Sequence, residues 1–379
     1  MNVGFFTDTW LPNADGVINS MVASRSELEK RGHKVSVFTS GDRQTNHGRR
    51  VFVHKSVKVP AYPQYKFAVF PYASAVKQAY DQRLELVHSH AIASMGLAAI
   101  GAAKTLKLPL VGTYHTMLPS AVQYVTDNVT GQYFLTQATW RAVRLFYKTF
   151  DAVFAPSNVI AKELGEHGVE ASVVSNGINV KRFNPRRARA ARIRRKLGAG
   201  KKKIILTAGR MGFEKNVDII IKAAPRVLRE HDALFVVGGR GPSKQMCEAL
   251  VKEWGLKDAV KFAGFIPDAE LPDYYAAADV FVTGSTFETQ SLVVLEAMAC
   301  GTPVVGANAL AIPEAVKNGR TGYVFEPGDA ADCARKISKV LGLKKLSYNK
   351  LAKNARRFAE TKSIERATDD LLHEYGKVF

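Results

Sequence analysis

At 379 residues the chain is too long for one ordinary core and suits two domains of common size. The three cysteines, Cys247, Cys300 and Cys333, are odd in number and lack metal-ligand spacing, which points to a reducing cytosol. The net charge of +20 is uneven: residues 171–203 carry twelve basic side chains and no acidic one, and so hold most of the excess. Charge of this size marks an anionic partner, and nucleic acid, an anionic membrane surface and a phosphorylated substrate all qualify. M-N-V-G-F-F-T-D-T-W lacks the basic start of a signal peptide, and the longest apolar window, Ile92–Ala103, is too short to span a bilayer.

In chain order, Val3–Thr7 is a buried strand, Asp8–Gly16 a loop, Val17–Arg31 a helix and Lys34–Thr39 the next strand. This β-α-β unit opens a doubly wound sheet. The loop N-A-D-G-V is not G-x-G-x-x-G and no acidic residue closes the second strand, so a nicotinamide site is disfavoured. Gly16 still allows either a phosphate close to the backbone or a simple tight turn. Between Lys55 and Tyr80 the aromatics Tyr62, Tyr65, Phe67, Phe70 and Tyr72 alternate with Lys58, Lys66 and three prolines, which forbid a regular helix before Pro71. Such a segment suits a membrane interface, or tucks into the core by its rings. Strands follow at Leu84–His88 and Pro109–Gly112, with a short helix over 94–105 between them. T-Y-H-T-M-L-P then sets His115 just past a strand's carboxyl end, where open α/β sheets bind ligands, although a lone histidine is more often structural. Ala138–Phe150 is a basic amphipathic helix that fits either a membrane or its own sheet. The strand Ala152–Ala155 and the helix Val159–Glu166 close the first domain.

The basic stretch lies at the domain junction, where it reads as a solvated helix face or as a surface for a bilayer or polyanion. It lacks the interleaved aromatics that stack on RNA bases, which weakens a nucleic-acid reading. Strand Ile204–Ala208 leads to G-R-M-G-F-E-K-N and a helix from Val217. Arg210 and Lys215 share that turn, where they can reach one anion or serve ordinary salt bridges; two fixed cations lower the barrier to losing a diphosphate. Strands Leu234–Val237, Val260–Phe262 and Val280–Thr283 end in G-G-R-G-P, G-F-I-P and S-T-F-E-T-Q-S. Four strand ends thus bring Gly-rich or charged loops to one edge.

Leu292, Leu295, Glu296 and Ala299 share a helical face, and Cys300-Gly301-Thr302-Pro303 stops that helix. Glu288 falls just before the helix start and Glu296 within it, eight positions on. The amides of Thr289, Gln290, Ser291 and Leu292 lie where unpaired N–H groups and the helix dipole favour an anion. By itself the pattern also fits a capped amphipathic helix.

With these pieces in one order, the chain resembles retaining glycosyltransferases of the glycosyltransferase 4 type, over nearly its full length. The matching stretches are the loop ending at Gly16, G-T-Y-H-T, S-N-G-I-N-x-x-x-F, G-R-x-x-x-x-K, G-x-G-P, G-F-I-P and E-x7-E. F-T-D-T-W-L-P-x-x-D-G-V, T-Y-H-T-M-L-P and F-E-T-Q-S-L-V-V-L-E-A-M resemble diacylglycerol and archaeal lipid glucosyltransferases. Asp15, where Asn is commoner, and Gly239-Arg240, where an acidic residue often precedes G-P, depart from that pattern.

The resemblance implies an α/β GT-B fold: two Rossmann-like domains with parallel sheets facing across a cleft. They would span 1–172 with a crossover helix in 361–379, and 204–360, joined by a basic connector at 173–203. It implies transfer of glucose from UDP-glucose to a membrane lipid hydroxyl, with a soluble acceptor or a GDP-mannose donor as the alternative. Carried over, Arg210 and Lys215 neutralise the diphosphate, Gly16 and Gly239 supply backbone beside the donor, and Thr289–Leu292 supply amides. Glu296 would hold the ribose, Ile266 the base and Glu288 the sugar, with His115 contacting the sugar. Asp8, Tyr62, Tyr65, Lys66 and Phe67 fall on the acceptor and membrane side. The partners implied are a nucleotide sugar, a lipid acceptor and an anionic membrane surface, with no specific nucleic acid, and the location is the inner face of the cell membrane. No D-x-D occurs, which fits a family that needs no metal or cofactor and uses side-chain cations.

Overall fold

The computed structural model describes residues 1–11, 16–41, 48–59, 62–119, 122, 128–186 and 188–379, with 58, 59 and 62–66 described for their backbone alone. The chain divides into two compact units, Met1–Gly177 with Ile364–Phe379, and Ile178–Ser363.

The first unit runs β1 (Asn2–Thr7), α1 (Gly16–Lys30), β2 (Lys34–Ser40), β3 (Val51–His54), β4 (Ser56–Val59), β5 (Tyr62–Ala68) and α2 (Tyr72–Asp81). It continues with β6 (Leu86–Ser89), α3 (Ser94–Leu106), β7 (Leu110–Thr113), α4 (Val129–Tyr147), β8 (Ala152–Ala155), α5 (Asn158–Glu166) and β9 (Ser172–Val173). Its parallel sheet has the order β3-β2-β1-β6-β7-β8-β9, so strand order reverses between β1 and β6. Strand alternation sends Phe5 to one face, with Ile18, Met21 and Leu28 of α1, and Phe6 to the other, with Met95 and Ala99 of α3. The C-terminal helix Ile364–Tyr375 packs on the Phe5 face through Leu371 and Tyr375. Arg31, just past α1, holds it there, donating to the Glu365 carbonyl at 2.8 Å and pairing with Asp369.

The second unit runs α6 (Ala190–Leu197), β10 (Lys203–Ala208), α7 (Val217–Leu228), β11 (Ala233–Gly238), α8 (Lys244–Glu253), β12 (Val260–Gly264) and α9 (Leu271–Ala277). Then come β13 (Val280–Thr283), α10 (Leu292–Ala299), β14 (Val304–Ala307), α11 (Ile312–Ala315), β15 (Gly322–Phe325), α12 (Ala330–Leu341) and α13 (Lys345–Glu360). The order β12-β11-β10-β13-β14-β15, all parallel, is a doubly wound sheet whose order reverses between β10 and β13.

Two expectations change, and the aromatic stretch gains a definite form. The helix expected over Ala138–Phe150 starts nine residues earlier, at Val129, because the Asn128 side chain accepts the Gly131 amide at 2.9 Å and caps it. The proline-bearing aromatic stretch contains an extended strand, β5, paired antiparallel with β4. The basic stretch is no connector but an integral part of the second unit. Ile193 and Leu197 of α6 are buried against Tyr274 and Tyr275 of α9. Glu270 takes Arg192 at 2.8 Å and Lys196 at 2.7 Å, and Asp279 takes Arg194 at 3.4 Å and Lys203 at 3.1 Å. Acids 70 to 90 residues away in sequence thus compensate much of the local charge. No helix among the described residues is long and apolar enough to cross a membrane.

Candidate active site

In an open α/β sheet the loops that diverge at the reversal of strand order leave a crevice, and ligands bind there. In the second unit those loops follow β10 and β13. The β10 loop carries Arg210, Glu214, Lys215 and Asn216; the β13 loop carries Ser285 and Glu288. Asn216, at φ +47°, donates its side-chain amide to the Gly284 carbonyl at 3.0 Å, and the Thr286 amide donates to the Glu214 carbonyl at 3.1 Å. Gly284 permits this approach, since a Cβ there would lie 2.7 Å from the Asn216 carbonyl oxygen. Lys215 Nζ then sits 2.7 Å from Glu288 Oε1 and 3.5 Å from Ser285 Oγ. Arg210 pairs with Glu214, a carboxylate only 9% exposed beside an arginine 58% exposed. Both cations are therefore held by carboxylates on the carboxyl edge of the sheet.

Ser291 precedes the first residue of α10 and has a left-handed backbone, φ +63°, unusual for a side chain with a Cβ. Its buried Oγ has no hydrogen-bond partner among the described residues. Thr289 lies half-buried and Gln290 buried just before it, and Leu292 opens the helix. Glu296, one turn inside, accepts the Tyr275 hydroxyl at 3.0 Å. Burial pushes its carboxyl up to about 7, against the pull of the Tyr275 bond and the Arg182 charge.

The β10 and β11 ends are fused through backbone. The Gly209 amide donates to the Gly238 carbonyl at 3.1 Å and the Met211 amide to the Arg240 carbonyl at 2.8 Å. Gly239, at φ +133°, admits no side chain, since a Cβ would meet the Gly209 oxygen at 1.8 Å. The Ile266 side chain turns inward and is 7% exposed, whereas Phe265 beside it is 56% exposed and carries the Arg240 guanidinium 5.6 Å from its ring centre. The outward aromatic at this corner is Phe265, and Ile266 serves the core.

The remaining candidates belong to the first unit. His115, half-buried after β7, has its Nε2 2.9 Å from Nδ1 of His90, and burial lowers its pKa to about 4. One Asp8 oxygen accepts the Ser94 hydroxyl at 2.6 Å and the Met95 amide at 2.9 Å. Asp8 thereby caps α3, whose own preceding residue, Ala93, has no side chain to do so. Gly16 opens α1, exposed, and Phe67 is 45% exposed. The side chains of Tyr62, Tyr65 and Lys66 lie outside the described residues.

Glu214, Asn216, Tyr275 and His90 were not singled out in the sequence. Glu214 sits inside the stretch quoted for its cations, and H-S-H at the end of β6, a strand that neighbours β7, is a readable sign for His90. Tyr275 left no local sign, because its partner is 21 residues away.

Two doubly wound units, one with paired cations beside a helix start at its switch point, define an enzyme of the GT-B class. "Glycosyl transferases group 1" matches residues 190–358 and "Glycosyltransferase Family 4" matches residues 14–182. The chain is 33% identical to an alpha-monoglucosyldiacylglycerol synthase of Streptococcus pneumoniae over 80% of its own length and 70% of that protein's. It is 32% identical to the sulfoquinovosyl transferase SQD2 of Arabidopsis thaliana over 83% of its length and 61% of that protein's. Anabaena Alr3699/HepE, solved in complex with UDP and glucose, shares the fold across both whole chains, with a TM-score of 0.81 at 19% identity. The chain belongs to the family 4 glycosyltransferases, and it is an enzyme that uses a nucleotide sugar.

Proposed function

We propose that the enzyme transfers glucose from UDP-glucose, with retention of anomeric configuration, to the hydroxyl of a membrane lipid of diacylglycerol or archaeol type. The observation that carries this reading is the Lys215–Glu288 contact at the switch point, beside the start of α10. As the sugar–oxygen bond breaks, negative charge grows on the diphosphate. Arg210, Lys215 and the N-terminal amides of α10 meet that charge, in place of a metal ion or other cofactor. Glu288 turns to the sugar hydroxyls once the diphosphate takes over Lys215, and Glu296 accepts from the ribose. The diphosphate, on the face the acceptor attacks, takes up the acceptor's proton.

The lipid acceptor is favoured by the name of the pneumococcal relative and by the surface of the first unit. On α4, Phe134 and Leu145 are 66% and 67% exposed in a row with exposed Arg141 and Lys148. Phe70, after β5, is 94% exposed. Apolar side chains that enter a bilayer among cations that meet anionic headgroups give peripheral attachment to the inner face of the cell membrane. The test is incubation with labelled UDP-glucose and vesicles of diacylglycerol in anionic lipid, beside GDP-mannose and a soluble-sugar arm. Labelled lipid is expected. Label only in soluble sugar, or none from any donor, refutes the proposal.

A further inference from the structure

The strand order β12-β11-β10-β13 sets the loops of the second unit in line along the carboxyl edge, about 4.8 Å per step. Arg240 follows β11 and Phe265 follows β12, so they stand one and two steps beyond the loop of Arg210 and Lys215. The backbone there is fixed. The Gly239 amide donates to the Gly264 carbonyl at 2.7 Å, and a Cβ at Gly241 would lie 2.4 Å from the Met211 carbonyl oxygen. On this support Phe265 is 56% exposed, and the exposed Arg240 guanidinium stands 5.6 Å from its ring centre. Arg210, Lys215 and Arg182 each pair with a carboxylate, at Glu214, Glu288 and Asp268. The Arg240 guanidinium has no hydrogen-bond or carboxylate partner among the described residues.

A nucleoside diphosphate with its phosphates at Lys215 and its ribose at Glu296 must place its base beyond the ribose. The chain beside Glu296 on that side is the loop after β12. Tyr275 of α9, the helix which that loop enters, donates to Glu296 at 3.0 Å, and the Asp268 charge reaches the same carboxyl. Phe265 begins that loop, and its open ring is a surface on which any base can stack. Arg240 is different, because a guanidinium has five donors and no acceptor. It suits the carbonyl oxygens of uracil, or O6 and N7 of guanine, and meets the amino groups of adenine and cytosine donor to donor. We infer that Arg240 and Phe265 are the base-binding corner of the donor site, and that Arg240 selects a keto base over an amino base. Phe265 supplies affinity and Arg240 supplies the choice. This rests on the reading of Glu296 as the ribose contact.

The test measures UDP, GDP, ADP and CDP binding to the full chain by titration calorimetry. Wild type is expected to bind UDP or GDP at least about tenfold more tightly than ADP and CDP, the scale of one well-placed arginine–base pairing. Arg240→Met, which keeps the apolar stem, should lower that ratio about tenfold and leave ADP binding little changed. Phe265→Ala should weaken all four roughly tenfold with the ratio kept, since stacking does not discriminate. Both side chains are exposed, so Tm should not move. An unchanged ratio in Arg240→Met overturns the inference, as does normal binding in Phe265→Ala or a wild type that prefers ADP or CDP. An equal loss for all four in Arg240→Met also overturns it, because that puts Arg240 on the phosphates. Normal UDP binding in Glu296→Gln would instead remove the ribose contact, and the Arg240→Met ratio would still decide the base. Binding of none of the four would overturn the donor site and this inference together.

Discussion

Replacing Glu296 by Gln should make the protein more stable and a poorer enzyme, and both effects can be worked from one carboxyl. Burial raises the Glu296 pKa from 4.5 to about 7. The folded protein then binds more protons than the unfolded chain between those values. Stability is therefore greatest below the unfolded value and is lost as pH rises through the folded one. At 1.36 kcal/mol per unit, the full loss at pH 8 is on the order of 3 kcal/mol. Glutamine keeps an oxygen for the Tyr275 hydroxyl and carries no charge, so it should recover most of that at pH 8 and almost none at pH 5. For a unit of this size, about 3 kcal/mol is worth roughly 6–12 °C in Tm, read by calorimetry at the two pH values. Donor binding should show the reverse preference. On the proposed reading ribose hydroxyls donate to the ionised carboxylate, so UDP should expel up to about half a proton at pH 7, seen by titration calorimetry in buffers of different ionisation enthalpy. Glu296→Gln should release none and bind UDP about 10- to 100-fold more weakly, the range for hydrogen bonds to a charged group. A Tm difference that does not change from pH 5 to pH 8, or UDP binding without proton release, would refute the argument.

Lys215→Ala, Arg210→Ala and Glu288→Ala should each lower kcat by about 100-fold or more while the protein stays folded, the scale for losing one aligned charge-stabilising group. Near-normal turnover in all three would remove the site assignment. Gly239→Ala should cost at least about 2 kcal/mol, from backbone strain added to the clash with the Gly209 carbonyl. By contrast Gly165→Ala, on α5 with nothing within 4 Å, should be neutral or add about 0.5–1 kcal/mol, and urea melts separate the two. Leu145→Glu should weaken sedimentation with anionic vesicles about tenfold or more, by losing apolar insertion and adding repulsion, with Tm unchanged. Unchanged sedimentation would clear α4 of a membrane role.

What could be read from the sequence was whatever is encoded locally. The apolar spacing from Leu292 to Ala299 and the Gly301-Thr302-Pro303 stop place α10 where it is found, because helix periodicity and termination act over a few residues. Parallel strands buried on both faces read as short apolar runs for the same reason. The start of α4 was obscured because V-T-G-Q-Y-F has poor helix propensity, which the Asn128 cap and burial of Trp140, Val143 and Phe146 farther along overrule. The basic stretch looked like free charge because its acids, Glu270 and Asp279, join it only through the fold. Tyr275, beneath Glu296, was hidden by the same kind of distance.

The second unit also gathers its costs in one place. Around the start of α10 lie a serine in left-handed backbone with an unanswered hydroxyl, a glutamate with a raised pKa, and a lysine and glutamate drawn together from two loops. A core chosen for stability alone would keep none of these. Strain of this kind persists when its surroundings over-determine it, and it clusters where binding uses it. Here Asn216 and the backbone contacts of Gly239 and Gly284 hold the loops that carry the strain, while Tyr275 holds Glu296 from below. On the proposed reading, a diphosphate at the start of α10 would compete for Lys215, and a ribose would answer Glu296. On that reading, the features that cost the free protein most are those a nucleotide sugar would relieve.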